Sequence, residues 1–263
     1  MNSYYSLLKS NVRFSCEEGL FYQIDFPRNN PFEESYLSLR EKEGRLYGDP
    51  VVRLLPEFYG SAQLATELKI RKQSARRLMR HLQQKNPGKI LEIGCGNGWL
   101  IHYLQRHVSA EYLGVDINEP ELKQAIRMST NNTCSFLYGD IFSDSMNVLR
   151  ADAIIVASAA QYFPDLKLFI QHLLMLLVPG GEIHIIDTAF YNNEEAEGAR
   201  KRSENYFSEM LINRDKMNYY HHCIDALESF HYEVAYQPHN LFSKLKRKII
   251  SDSPFPWIII RNN

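Results

Sequence analysis

An α/β fold, with a mostly parallel sheet covered on both faces by helices, is predicted by two observations. Short runs that are apolar on both sides alternate with segments of helical periodicity from residue 86 onward. Three glycines at alternate positions separate the first of these strands from the first helix.

The elements follow in order. Asn86-Pro87-Gly88 breaks the chain ahead of the apolar run Lys89 to Ile93, and Trp99 to His107 carries Trp99, Leu100, Tyr103 and Leu104 on one side of a helix. Tyr112 to Val115 is a second buried strand, Pro120 to Met128 a helix, Ser135 to Tyr138 a third strand and Ala153 to Ala157 a fourth. Asp165 to Leu177 is an amphipathic helix stopped by Pro179-Gly180-Gly181, before a fifth strand at Glu182 to Ile186. A helix around His222 to Phe230 and strands at Tyr232 to Tyr236 and Trp257 to Ile260 complete the pattern. Residues 1–85 form an aromatic-rich helical arm, and residues 86–263 the main domain, with a helical cap region at 191–230.

The 263 residues are 44% hydrophobic and 23% charged, the composition of a folded globular chain. Thirty Lys and Arg against 31 Asp and Glu give a net charge of −1, which excludes a globally basic surface. That neutrality divides unevenly: 14 basic and 10 acidic residues in 1–85, 6 and 11 in 86–190, 10 and 10 in 191–263. The longest apolar stretches fall far short of the roughly 20 residues that cross a bilayer. Met1 to Asn11 lacks the features of a secretory signal, so a cytoplasmic location and no membrane partner are expected. Cys16, Cys95, Cys134 and Cys223 form no Cys-x-x-Cys pair, and the nine histidines fall in no metal-ligand spacing, so no metal is expected.

The glycine turn carries most of the chemistry. Gly94, Gly96 and Gly98 permit unusual dihedrals and a ligand lying against bare backbone. The third glycine comes two residues after the second, whereas the dinucleotide fingerprint spaces them by three, which disfavours a nicotinamide or flavin. Asp116 ends the second strand 22 residues after Gly94, where a carboxylate accepts ribose hydroxyls or, alternatively, caps the next helix. Glu92 interrupts an apolar strand, an expensive burial unless a polar group such as a ligand amine meets it. Asp140 ends the third strand. Three carboxylates at successive strand ends point to a ligand with hydrogen-bond donors and positive charge.

These residues resemble the class I S-adenosylmethionine-dependent methyltransferases, small-molecule-type branch, over roughly residues 86–190. The family's acidic-x-Gly-x-Gly-x-Gly motif is matched by Glu92, Gly94, Gly96 and Gly98, followed in order by Asp116, Gly139-Asp140 and Leu177 to Gly181. The resemblance implies a Rossmann-like three-layer α/β/α sandwich, its seven-stranded sheet mostly parallel with the last strand antiparallel, and an N-terminal helical lid. It implies S-adenosyl-L-methionine as cofactor and S-adenosyl-L-homocysteine as product. By similarity, the backbone at Gly94 and Gly96 faces the methionine part and Asp116 holds the ribose, with Glu92, Cys95, Asn97 and Gly98 of the same turn among the cofactor-binding residues, although Cys95 also reads as a packing residue. Ile117 and Ile141 sandwich the adenine, Asp140 takes its amine, and Gly139, Ala157, Ser158 and Tyr162 complete the pocket.

The implied activity is in-line methyl transfer to an oxygen or nitrogen of a small-molecule acceptor. Ala157 to Asp165 lacks the Asn or Asp-Pro-Pro-aromatic sequence of family members that methylate base amines. A catalytic base is optional in such a displacement. Candidates are Tyr162, Asp187 and His221, against core packing for Tyr162 and a helix cap for Asp187. Tyr47 or Arg45, in the turn-like stretch Gly44 to Pro50, would close over the cofactor. Two basic runs, Lys69 to Lys85 and Lys244 to Lys248, support an RNA or protein methyltransferase as the alternative, although the first also reads as a helix packed beside the first strand. A non-catalytic module that holds the cofactor is the third reading. The sequence carries no signal for an oligomeric state.

Overall fold

The computed structural model describes residues 2–28, 30–57, 62–129, 132–212, 217–238, 240 and 251–262. The chain opens with α1 (Ser3–Ser10), β1 (Phe14–Glu17), β2 (Leu20–Gln23), α2 (Pro31–Lys42), α3 (Asp49–Val52) and α4 (Ala62–Lys85). The centre follows as β3 (Lys89–Ile93), α5 (Trp99–Leu104), β4 (Glu111–Asp116), α6 (Glu119–Met128), β5 (Cys134–Tyr138), β6 (Ala151–Ala157), α7 (Leu166–Leu176) and β7 (Leu177–Ile186). Last come β8 (Phe190–Tyr191), α8 (Asn193–Glu209), β9 (His222–Cys223), β10 (Tyr232–Tyr236) and β11 (Trp257–Arg261).

The main sheet has nine strands in the order β1-β2-β5-β4-β3-β6-β7-β11-β10. From β5 to β7 the pairs are parallel, and β11 runs antiparallel to β7, as the resemblance implies. Apolar residues on both faces of the strands explain the three layers. Leu91, Leu113, Ile154 and Ile183 pack with Leu8 of α1 and Phe169 and Leu173 of α7. Ile90, Tyr112 and Ile155 pack on the other side with Leu78 of α4, Leu100 of α5 and Leu122 of α6.

Two sequence expectations are corrected. The sheet has two more strands than seven, because the first residues of the arm are not helical throughout: Glu18 and Gly19, with φ of 48° and 87°, close a two-residue hairpin between β1 and β2. Strand β2 then pairs parallel with β5, Leu20 opposite Phe136, and buries Leu20, Phe21 and Tyr22. His222 to Phe230 is not a helix either. His222 and Cys223 pair with β8, and only Ile224 to Leu227 coil into a single 3₁₀ turn anchored by buried Leu227.

Helix α4 covers β3 as expected, with Ala75, Leu78 and Leu82 buried. Its basic residues are largely paired: Arg71 with Glu67, Lys72 with Glu57, Arg77 with Asp252 and Lys85 with Glu182. The run Lys244 to Lys248 lies outside the described residues. No described helix is long and apolar enough to cross a membrane.

Candidate active site

Strand β3 gives way to a turn in which Gly94, Gly96 and Gly98 take φ of 70°, 51° and 69°. Space enforces the same residue: a Cβ on Gly94 would stand 2.5 Å from that of Ala159, and one on Gly98 2.9 Å from that of Ala125. The Gly96 N–H donates to Asp116 Oδ2 at 2.7 Å, and the Asn118 N–H donates to Oδ1 at 2.9 Å. Asn97 is buried in the turn, where its Oδ1 accepts from the Trp99 N–H at 3.4 Å. Cys95 packs beneath it, its thiol pushed well up by burial and then by the charge of Asp116.

Three carboxylates converge on this turn. Glu92 is 3% exposed, and its Oε2 has no hydrogen-bond partner among the described residues. Burial, followed by the charge of Asp116, drives its carboxyl well above the usual range. Glu121 faces Gly96 from α6, and burial with the charge of Asp116 pushes it up to about 7. Asp116 is raised by burial but held back by the backbone N–H groups of Gly96, Asn118 and Ile117, so it is the member best able to stay ionised. Arg40 and Arg71 act on Glu121 from a distance, yet both already pair with Glu43 and Glu67.

A cavity of about 350 Å³ lies over the carboxyl ends of β3, β4 and β5, bordered by Gly96, Asp116, Ile117, Gly139, Asp140 and Ile141. The N-terminal hairpin shapes it. Gln23 Oε1 accepts the Asp140 N–H at 2.9 Å and lies 2.6 Å from where a Gly139 Cβ would be. A smaller cavity of about 100 Å³ behind the glycine turn is bordered by Glu92, Cys95, Asn97, Ala157 and, from the arm, Arg45 and Tyr47. Arg45 pairs with Glu43 and Glu67, and the Tyr47 carbonyl accepts Gln124 Nε2–H at 2.7 Å, so the Gly44 to Pro50 stretch is clasped against α4 and α6.

A third cavity, of about 930 Å³, has aromatic walls from Tyr162, Tyr191, Tyr206, Phe207, Tyr219 and Phe255. Ser158, held at φ 53° after β6, borders all three cavities. Tyr162 stands between the first and third, its ring 5.4 Å from Phe32, 5.9 Å from Tyr36 and 5.8 Å from Tyr219.

Asp187 caps no helix. It follows β7 at φ 52°, borders the second and third cavities, and its Oδ1 accepts Ser74 Oγ–H at 2.6 Å and Ser253 Oγ–H at 3.3 Å. Burial raises its carboxyl, and the Ser74 bond opposes the rise. His221 sits behind the wall, with Nε2 2.9 Å from the Oγ of Ser203, which borders the large cavity. Glu121, Arg40, Glu43 and Glu67 carry no motif in the sequence, although the last three join Arg45 and Arg71 in one ladder of charges. The spacings of Arg40 with Glu43 and of Glu67 with Arg71 were its visible trace.

Residues 84–240 match a family described as a methyltransferase domain. The chain is 25% identical over 121 residues to the chloroplastic tocopherol O-methyltransferase of Arabidopsis thaliana, covering 44% of this chain and 35% of that protein. It is 26% identical over 121 residues to the sterol 24-C-methyltransferase of Aspergillus fumigatus, covering 43% and 32%. The matched stretch thus spans about a third of these curated relatives. Magnesium protoporphyrin IX methyltransferase from Synechocystis PCC 6803, solved with bound SAH, shares the fold with a TM-score of 0.56 at 15% identity, over 87% of this chain and 98% of that one. The family match covers more than half of the sequence, and the chain belongs to the methyltransferase domain family.

Proposed function

We propose that the chain is an S-adenosylmethionine-dependent methyltransferase acting on an oxygen or nitrogen of a small acceptor with an apolar or aromatic body. The observation that carries this reading is the junction at Ser158, where the large aromatic-walled cavity meets the two cavities flanking the glycine turn. The names of the curated relatives, tocopherol and sterol methyltransferases, support an apolar small acceptor.

The residues fit that cofactor by charge. Glu92 Oε2 lacks a partner, and Asp116 and Glu121 lie beside it, a set that favours a ligand bearing an ammonium and a positive sulfur over an anionic pyrophosphate. Asp116 spends one lone pair of each oxygen on a backbone N–H and retains acceptor capacity for ribose hydroxyls. Ile117 and Ile141 offer apolar surface to an adenine, with Asp140 beside them. When bound, the cofactor supplies a methyl group activated on a sulfonium and passed in line to the acceptor. Tyr36 and Tyr162, ring centroids 5.9 Å apart, narrow the junction, and the Tyr36 ring already carries the Arg40 guanidinium at 4.8 Å. Asp187 is placed to take the acceptor's proton, with Ser74 fixing its Oδ1.

The RNA reading loses support from α4, whose ion pairs leave few of its cations for phosphate. The test is transfer of labelled methyl from S-adenosylmethionine to phenols, carboxylic acids, amines and apolar alcohols, with calorimetric titration of S-adenosylhomocysteine alongside. Binding together with turnover on an oxygen or nitrogen acceptor is expected. Binding without turnover on any acceptor would favour a non-catalytic module, and labelling of RNA or of carbon would overturn the acceptor assignment.

A further inference from the structure

At the amino ends of the parallel strands, away from the glycine turn, the fold brings His81 against a pair of residues that lies about a hundred positions further along the chain. His81 comes from α4, on the helix face that buries Leu78 and Leu82, and Glu182 and His184 from the same face of β7. One ligand-type atom from each lies within 4.8 Å of the other two. His81 Nε2 is 2.6 Å from Glu182 Oε2, and His184 Nε2 is 3.8 Å from the same oxygen. The two imidazoles meet edge to face, centroids 5.1 Å apart at 76°, with the Trp257 ring packed against both.

His184 is the anomaly. Its side chain is completely buried, and neither ring nitrogen has a hydrogen-bond partner among the described residues. Burying polar atoms without a partner costs free energy, and an imidazole nitrogen aimed at a carboxylate oxygen and a second imidazole is one that a metal ion would satisfy. Glu182 is prepared for the same role. Its Oε1 receives Lys85 Nζ and Arg261 Nε, both at 3.0 Å, which fixes the carboxylate and leaves Oε2 turned toward the histidines. Hydrogen-bonded partners on the far oxygen of a ligating carboxylate are the usual support for a metal site. A cavity of about 210 Å³, bordered by Gly88, Asp152, Gly181, Glu182 and His184 but not by His81, leaves room beside two of the three ligands for a water as the fourth.

We propose that His81, Glu182 and His184 bind a zinc ion. Two imidazole nitrogens, one carboxylate oxygen and a water make a tetrahedral set that suits zinc, whereas calcium and magnesium require oxygen ligands. The ion takes the place of the hydrogen between His81 Nε2 and Glu182 Oε2, which passes to Nδ1 or to solvent. It fastens α4, which carries Arg71 of the active-site wall and Ser74, the hydrogen-bond partner of Asp187, to β7. The proposal departs from the expectation of no metal, which rested on local spacing, whereas 101 residues separate His81 from Glu182.

The test uses the whole chain without a histidine tag, stripped with chelator and titrated with zinc chloride by calorimetry, and with cobalt chloride by visible absorption. One zinc per chain, a rise in the unfolding temperature and the intense visible bands of tetrahedral cobalt are expected. His184→Ala and His81→Gln should each weaken zinc binding by more than about tenfold. The partly exposed His81 position guards against an effect of misfolding, and retained S-adenosylhomocysteine binding in His81→Gln separates this site from the proposed cofactor site. No saturable zinc binding, or binding unchanged in both variants, overturns the proposal.

Discussion

The Gly96 N–H donates to Asp116 Oδ2 at 2.7 Å, so the carboxylate at the end of β4 holds the glycine turn as well as facing the adjacent cavity. Asp116→Ala therefore removes two things. Gly96 and Asn118 lose the acceptor of their N–H groups, at about 1–3 kcal/mol for each donor left buried and unpaired. The proposed ribose acceptor disappears too. Thermal unfolding without ligand should show a lowered midpoint, and calorimetry should show S-adenosylhomocysteine binding reduced beyond detection. Asp116→Asn keeps one oxygen for the turn and should recover much of the stability but not the affinity. Wild-type affinity in Asp116→Asn would refute the role in binding.

Gly94 faces a different constraint. Its φ of 70° and the 2.5 Å approach to Ala159 Cβ act together on any side chain placed there. Gly94→Ala should cost about 1–2 kcal/mol for the left-handed backbone and about 1–3 kcal/mol more for the overlap. Adding Ala159→Gly removes the overlap alone, so the double variant should regain only that second part in urea unfolding. No recovery at all would mean that the clash is not what excludes alanine.

The strands from β3 to β7 were legible because each is apolar on both faces and bounded by turn residues, a signal that survives without tertiary context. The hairpin β1 and β2 was missed for the opposite reason. Phe14 to Glu17 and Leu20 to Gln23 are only four residues each, too short for a clear alternation, and Glu18-Gly19 is a less familiar two-residue loop than Asn-Gly. In the site, Glu92 stood out as a charge inside an apolar strand, whereas Glu121 sits in the first turn of α6, where a glutamate is ordinarily solvated and favoured by the helix dipole. Glu121 is half-buried, and only the approach of Gly96 shows that its carboxyl faces inward.

That burial sets a pH dependence. The Glu121 carboxyl rises from an ordinary 4.5 to about 7, chiefly through burial and secondly through the charge of Asp116. A raised acid stabilises the fold fully below its unfolded value and loses that stabilisation as the pH climbs through the folded one, because the unfolded chain releases its proton first. The ligand-free protein should thus lose stability between about pH 4.5 and 7, at up to about 1.4 kcal/mol per pH unit. Glu121→Gln should flatten that slope in thermal unfolding. A cationic ligand favours the ionised form, so S-adenosylmethionine should bind the wild type more tightly as the pH rises toward 8, and Glu121→Gln with little change. An identical slope in both proteins would exclude Glu121 as the titrating group.

Tyr162 separates a packing role from a chemical one. Burial raises its phenol further above an already high ordinary value, which keeps it protonated and unfit as a base near neutrality. What its position offers is the ring, wedged among Phe32, Tyr36 and Tyr219 between the two cavities. Tyr162→Phe retains that ring and should keep turnover within about threefold, whereas loss of a proton-transferring group costs about a hundredfold or more. Tyr162→Ala opens the partition between cofactor and acceptor. It should lower kcat by more than about tenfold through lost alignment, with a smaller change in affinity for S-adenosylhomocysteine, whose proposed contacts with Asp116 and Glu92 lie elsewhere. A loss of a hundredfold in Tyr162→Phe, with S-adenosylhomocysteine still bound, would instead assign the hydroxyl a part in the reaction.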